Sequence, residues 1–145
     1  MKVLVIEARF YEHISDMLLE GAMAALEAVG ADVTRVTVPG ALEIPHVISI
    51  ADEEEASNYD AYVALGCVIR GETTHYDYVC QESARAIMDL AVDRQLAIGN
   101  GIITVENEAQ AIARADKAQK DKGGFAARAA LTMIDIRDQL KAGTL

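Results

Sequence analysis

Between residues 61 and 94 the chain changes character twice. An apolar run of strand composition, AYVALGCVI, stops at Arg70 and Gly71; a polar segment, ETTH, follows; an amphipathic run then extends from about Tyr76 to Arg94. A short β-rich run followed by a helical period reads as strand, loop, helix. The same alternation recurs along the whole chain, with no internal repeat and no low-complexity linker. It constrains the fold strongly, because strands separated by helices form parallel sheets covered on both faces. The expectation is α/β: a four-stranded parallel sheet with five helices shared between its faces, right-handed crossovers, and residues 1–145 as one domain.

The first strand is expected at Lys2–Ala8 and the first helix from about Ser15 to Val29, with Ser15 as cap and Gly30 as stop. Asp32–Val38 is a second strand with a sharp exit at Pro39 and Gly40, and a second helix begins near Ala41 to Pro45. The acidic cluster Asp52–Glu55 ends that helix on a solvated surface and has no metal-loop pattern. After the 61–94 unit, Leu96–Thr104 is the fourth strand, with Gly99 and Gly101 where a backbone must bend or be approached closely. Asn107 and Gln110 have capping-box spacing and open a short helix to Ala115. The polar link DKAQKDKGG then precedes a last helix from about Phe125 to Leu140.

Composition narrows the function classes. The chain is 52% hydrophobic but only 5% aromatic, without Trp, which suits a core of Ala, Val, Ile and Leu. A formal net charge of −10 disfavours nucleic-acid and anionic-membrane partners, so any phosphate site must be local. Cys67 and Cys80 have neither disulfide-framework nor metal-ligand spacing and read as reduced thiols. In MKVLVIEARF, Glu7 and Arg9 interrupt what would be a signal peptide's apolar region, and no later run is long enough to cross a bilayer. The expectation is a soluble, cytoplasmic protein. The glycines form neither GxGxxG nor GxxxxGK[ST], so nothing points to a dinucleotide or a nucleoside triphosphate.

Chemistry is expected where the third strand meets its helix. Thr74 and Asp77 have capping-box spacing, which sets the helix start at Thr74 or His75. Ligands of parallel α/β sheets collect beyond the carboxyl ends of strands, and a helix N-terminus there offers free N–H groups to an anion. Two hydroxyls, Thr73 and Thr74, and the imidazole of His75 stand at that point. On these residues alone the simpler reading is two caps and a partly exposed first-turn histidine.

Five segments in order and spacing decide for more. RFY at Arg9–Tyr11, VPGALEIP at Val38–Pro45, LGCVIRGETTHYDYVC at Leu65–Cys80, NGIITVEN at Asn100–Asn107 and the closing ARADKAQKDKGG resemble the lumazine synthase family over nearly the whole chain. The resemblance implies a flavodoxin-like three-layer sandwich and a transferase of riboflavin biosynthesis. It would condense 5-amino-6-(D-ribitylamino)uracil with 3,4-dihydroxy-2-butanone 4-phosphate to 6,7-dimethyl-8-ribityllumazine. Imine formation, loss of phosphate and ring closure need proton transfers and orientation, with no metal and no redox cofactor.

By position in the matching motifs, the resemblance gives Phe10 the stacking on the pyrimidine and Ala41, Leu42 and Glu43 the grip on the ribityl chain. Cys67, Val68 and Ile69 would hold the pyrimidine ring through backbone, with Cys67 a small lining residue and not a nucleophile. His75 would transfer protons, Thr73 and Thr74 with helix N-terminal N–H groups would help to hold the phosphate, and Gly71 and Glu72 would lead the chain into that turn. Arg114 would pair with the phosphate and Lys122 would lie near the substrate's polar end; from the residues alone both are surface charges. The family's site lies between subunits, so Asn100, Arg114 and Lys122 are expected from the neighbouring chain of a homopentamer. DKAQKDKGG lacks the kink of shell-forming members, which implies a free pentamer or a small assembly of pentamers. Asn100 stands where many members carry an aromatic, so affinity for the pyrimidine is the property it puts in question. The rival readings are a non-catalytic oligomeric lumazine- or flavin-binding or scaffold paralogue, which loss of His75 or Arg114 would have signalled, and a flavin-phosphate protein. The latter needs a phosphate loop that EARFYEHIS does not supply.

Overall fold

The computed structural model covers residues 1–145. Its elements run β1 (Lys2–Ala8), α1 (Glu12–Glu27), β2 (Asp32–Val38), α2 (Glu43–Glu53), β3 (Ala61–Ile69), α3 (His75–Asp93), β4 (Ile98–Val105), α4 (Glu108–Ala115) and α5 (Lys122–Ala142). The four strands lie in the order β2-β1-β3-β4 and all are parallel. The central strand β1 is buried from Val3 to Ala8 and β3 from Ala61 to Cys67, because both their faces are covered.

Side chains alternate across the sheet and so build two cores. Val3, Val5, Val63 and Leu65 face α1, α4 and α5, meeting Ile14, Leu18, Ala111 and Ala127. Leu4, Ile6, Ala8 and Ala64 face the other way, against Ile44 and Ile48 of α2 and Ile87 of α3. The result is an α/β flavodoxin-like three-layer sandwich: the alternation predicts its parallel sheet and two helix layers, and the family resemblance implies its flavodoxin-like form.

The differences from expectation lie at element ends. Helix α1 starts at Glu12 with Tyr11 as N-cap, so Ser15 is not the cap. Ser15 is buried inside the first turn, where its Oγ donates to Tyr11 O at 2.9 Å and lies 3.3 Å from Ala8 O, tying the helix to the end of β1. Helix α1 also ends two residues early, at Glu27, before Gly30 turns the chain at φ +67°. The Thr74–Asp77 capping box is absent. Thr74 has helical angles, its carbonyl accepts from Asp77 N–H at 3.0 Å, and Thr73 Oγ1 accepts instead from His75 N–H at 3.3 Å. The second capping signal is realised, with Asn107 Oδ1 accepting from Gln110 N–H at 2.9 Å.

Helix α5 begins at Lys122, three residues before the expected Phe125, so the glycine pair belongs to the helix and not to the link. Packing explains it. A Cβ on Gly123 would overlap the Leu18 carbonyl of α1, and one on Gly99 would overlap the Ala126 carbonyl of α5. The glycines let α5 lie backbone to backbone on α1 and β4, and Asp121 caps it by accepting from Gly124 N–H at 3.1 Å.

Gly99→Ala is therefore expected to lower stability by about 3 kcal/mol, the upper end for overpacking against an immobile neighbour. Gly71→Ala, whose Cβ would have no neighbour within 4 Å, should leave the urea midpoint unchanged. Urea unfolding of the two variants beside the parent checks the contrast.

Candidate active site

Strand β3 runs past its neighbour. It pairs with β4 as far as Ile69 with Val105, but with β1 only as far as Leu65 with Glu7. Gly66 still has Ala8, the last residue of β1, beside it; from Cys67 onward the β1-facing edge of β3 has no strand next to it, which leaves its backbone polar groups available to a ligand. A cavity of about 460 Å³ occupies this place. Ala8, Phe10 and Tyr11 bound it on the β1 side, Pro39 to Glu43 on the β2 side, and Cys67 to Ile69 at the back. Gly71, Thr73, His75, Tyr76 and Val79 close it from the start of α3.

Of the residues named from sequence, Phe10, Ala41, Leu42, Glu43, Cys67, Val68, Ile69, Thr73 and His75 line this cavity together. Phe10 is 76% exposed, which leaves ring surface for a flat ligand to stack on, and its ring crosses that of Tyr11 at 73° with centres 5.0 Å apart. Glu72 and Thr74 lie in the same exposed turn but outside the lining. Asn100, Arg114 and Lys122 do not reach the cavity of their own chain. Asn100 is exposed on β4 with its Oδ1 accepting from Ile102 N–H at 3.0 Å. Arg114, in the last turn of α4, donates from Nη1 to Gln110 O at 3.1 Å. Lys122 opens α5 with its Nζ 5.0 Å from the centre of the Phe125 ring.

Sequence reasoning passed over Tyr11, Tyr76 and Val79, which complete the walls. Tyr76 follows His75 in the first helical turn, a signal that was available in the spacing. It also passed over Glu7, which is 1% exposed at the end of β1. The Glu7 carboxylate is held by Arg9 Nη1 at 2.9 Å and by Thr37 Oγ1 at 3.3 Å, with Arg35 Nε at 3.6 Å. A buried carboxylate so far along an apolar strand needs such partners. Arg9 in turn reaches Glu12 and Asp16 of α1. Burial alone would lower the Arg9 pKa, but its bonds to Asp16, Glu12 and Glu7 outweigh that and raise it. The Arg9–Glu7 pair fixes the backbone that presents Phe10.

The cavity's protic side chains divide sharply. Burial pushes the Cys67 thiol up to about 12 and also raises the Tyr11 and Tyr76 phenols, so all three are neutral near pH 7. Glu43 and His75 are the remaining ionisable residues in the lining, and no Lys or Arg is among them. The arrangement offers a stacking face, open strand backbone, one carboxylate, one imidazole and a helix N-terminus. Such a set can stack a flat ring, hydrogen-bond its polar edge, accept from hydroxyls and exchange a proton. No three His, Cys, Asp or Glu side chains converge as metal ligands, and no helix is long and apolar enough to cross a membrane.

Comparison with known proteins agrees with the geometry. Residues 1–138 match the family model described as 6,7-dimethyl-8-ribityllumazine synthase. The 6,7-dimethyl-8-ribityllumazine synthase 1 of Rhizobium meliloti (strain 1021) is 59% identical over 143 residues, covering 97% of this chain and 94% of its own. The synthase of Novosphingobium aromaticivorans is 59% identical over 138 residues, with 95% and 97% covered. That of Bartonella tribocorum is 60% identical over 135 residues, with 93% and 89% covered.

Near neutral pH the native protein should leave Cys67 unalkylated by iodoacetamide until denaturant is added, read by mass spectrometry. The folded state keeps the protons of Cys67 and Tyr62 up to about 12, against ordinary values of 9.0 and 10.0. The stability they confer is therefore full below pH 9.0 and lost as pH rises toward 12. A falling urea midpoint across that window, and not below it, is the expected result.

Proposed function

Since the chain belongs to the 6,7-dimethyl-8-ribityllumazine synthase family, we propose that the cavity beyond β1 and β3 is where it condenses 5-amino-6-(D-ribitylamino)uracil with 3,4-dihydroxy-2-butanone 4-phosphate. The observation that carries the assignment of the site is the overrun of β3 past β1, which leaves backbone groups of Cys67–Ile69 free beside the exposed face of Phe10. The pyrimidine stacks on Phe10 and bonds to that backbone edge, while Ala41, Leu42 and Glu43 take the ribityl chain, the carboxylate accepting from sugar hydroxyls.

The uracil's amine attacks the butanone carbonyl and water leaves as the imine forms. Phosphate departs by elimination, and the second amine closes the ring with loss of another water. His75 moves the protons, because imidazole exchanges them readily near neutral pH. Thr73 and Thr74 receive the phosphate at the partly positive N-terminal end of α3, and Glu72 and Gly71 shape the turn.

The cations come from a second copy. A phosphate held by one helix N-terminus lacks a counter-charge here, since no Lys or Arg lines the cavity. Arg114 supplies a planar fork for the phosphate and Lys122 a point charge, with Asn100 beside them, from the adjacent subunit of a homopentamer. The Asn100 Oδ1 is already taken by Ile102 N–H, so Asn100 offers the substrate an amide donor where an aromatic would offer a ring. Exposed apolar side chains such as Met88, Val92, Phe125 and Met133 supply surface for subunit contact. The free thiols Cys67 and Cys80 suit a reducing cytoplasm.

Purified protein should accelerate lumazine formation over a no-enzyme control, followed by absorbance and fluorescence; a rate equal to the control would favour a binding or scaffold protein. His75→Ala should slow turnover about 10²–10⁴-fold with little loss of pyrimidine binding. Arg114→Ala should raise KM for the butanone phosphate about tenfold or more, the value of a charge-assisted bond, and leave that for the pyrimidine unchanged. Because the two residues would serve one site from different chains, co-refolding the two variants together should form some sites with both native residues and give, at low butanone phosphate, a higher rate than either variant alone. No recovery would place both residues in the same chain's site.

A further inference from the structure

We propose that Arg70 is a positioning residue for the catalytic turn, a clip that holds the loop 71–74 and His75 against the sheet. Arg70 is the last rung beyond β3: its N–H donates to Val105 O at 2.9 Å. Its side chain then reaches two further elements. Nε donates to Glu106 Oε2 at 2.7 Å, just past β4, and Nη1 to Asp77 Oδ1 at 3.4 Å in the first turn of α3. The guanidinium also lies over the ring of Tyr76, 4.2 Å from its centre. One planar group thus ties the end of β3, the end of β4 and the helix that opens with His75.

The loop between has little else to hold it. Residues 71–74 are exposed, and their hydrogen bonds, Thr73 Oγ1 from His75 N–H and Thr74 O from Asp77 N–H, stay within the first turn of α3. Gly71 packs on nothing within 4 Å of where a side chain would start. The loop's place relative to the cavity is therefore set at its two ends, and Arg70 joins those ends. Nε and Nη1 are given to carboxylates and its face to Tyr76, and Arg70 does not line the cavity, so it acts through the turn and not by touching phosphate. Exposed ion pairs of this kind add little to global stability, which separates a positioning role from a folding one. Lysine cannot replace it, having neither the fork nor the flat face.

This inference rests on the cavity being the condensation site, and the test keeps the two apart. In the full chain, Arg70→Ala should leave the urea midpoint unchanged while amide exchange over residues 73–77 quickens. KM for the butanone phosphate should rise and kcat fall, each by about tenfold, as expected for a misplaced reacting group, with KM for the pyrimidine unchanged. Arg70→Lys should recover little, and Glu106→Gln should move the same quantities in the same direction by less. Unaltered exchange with unaltered phosphate KM in folded Arg70→Ala would overturn the proposal, as would an equal rise in both KM values. Should Arg70→Ala not fold, Glu106→Gln decides by the same exchange and KM readings. Should the parent fail to accelerate the condensation, the proposed function falls, and the exchange comparison alone still tests the clip.

Discussion

Parallel pairing fixes more of this molecule than any single contact. Ala8 with Val38 and Ile69 with Val105 end their ladders at the same edge of the sheet, so every loop that follows a strand emerges there. The ends are not level, however. Because β3 outlasts β1, the edge has a step, and the step is the cavity's back wall. A level sheet with the same loops would present paired backbone and a flat rim. Phe10 follows β1, Glu43 opens the helix after β2 and His75 opens the helix after β3, and only the common direction of the strands brings them to one place.

Much of this is legible in the sequence, for identifiable reasons. Strands β2 and β3 begin and end where the composition places them, because Pro39–Gly40 and Arg70–Gly71 cut the β-rich runs sharply. Cap positions were harder. Ser15 and Thr74 carry the right hydroxyl at the right spacing, yet Ser15 is drawn inward by the Ala8 and Tyr11 carbonyls, and Thr74 is itself helical. A capping residue is chosen by competition among nearby carbonyls and N–H groups, and that competition depends on tertiary contacts absent from a local window. The glycine pair of α5 misleads for a similar reason. Gly123 looks like a linker residue until Leu18, more than a hundred positions earlier, is seen to need the space.

The cavity's parts were legible to differing degrees. Side chains on the strand ends and the first turn of α3 follow directly from the strand, loop, helix order. Glu7 did not stand out, because a lone acid in an apolar strand reads as an interruption until Arg9, Thr37 and Arg35 are found around it. Tyr11 and Tyr76 carry no motif of their own. Their contribution is to the medium: with Cys67 they line the walls with groups that are neutral at pH 7 and that desolvation pushes further from ionising. On the proposed reading such walls leave proton traffic to the imidazole, since a neutral thiol or phenol is a poor base at neutral pH.

Charge supplies the last step. A chain of net charge −10 repels an anion at a distance, so on the proposed reading attraction to the phosphate has to be generated within a few ångströms of it. The α3 N-terminus gives only a fraction of a charge. The nearby cation Arg70 is spent on Glu106 and Asp77, and Arg9 on Glu7, Glu12 and Asp16. Arg114 and Lys122 carry no ion pair to a carboxylate of their own chain, Arg114 resting on a backbone carbonyl and Lys122 over an aromatic ring. On the proposed reading these two cations are held in reserve for a neighbour's phosphate. Assembly is then a condition of the chemistry itself, because one chain alone holds the heterocycle's pocket and the proton carrier but lacks the counter-charge.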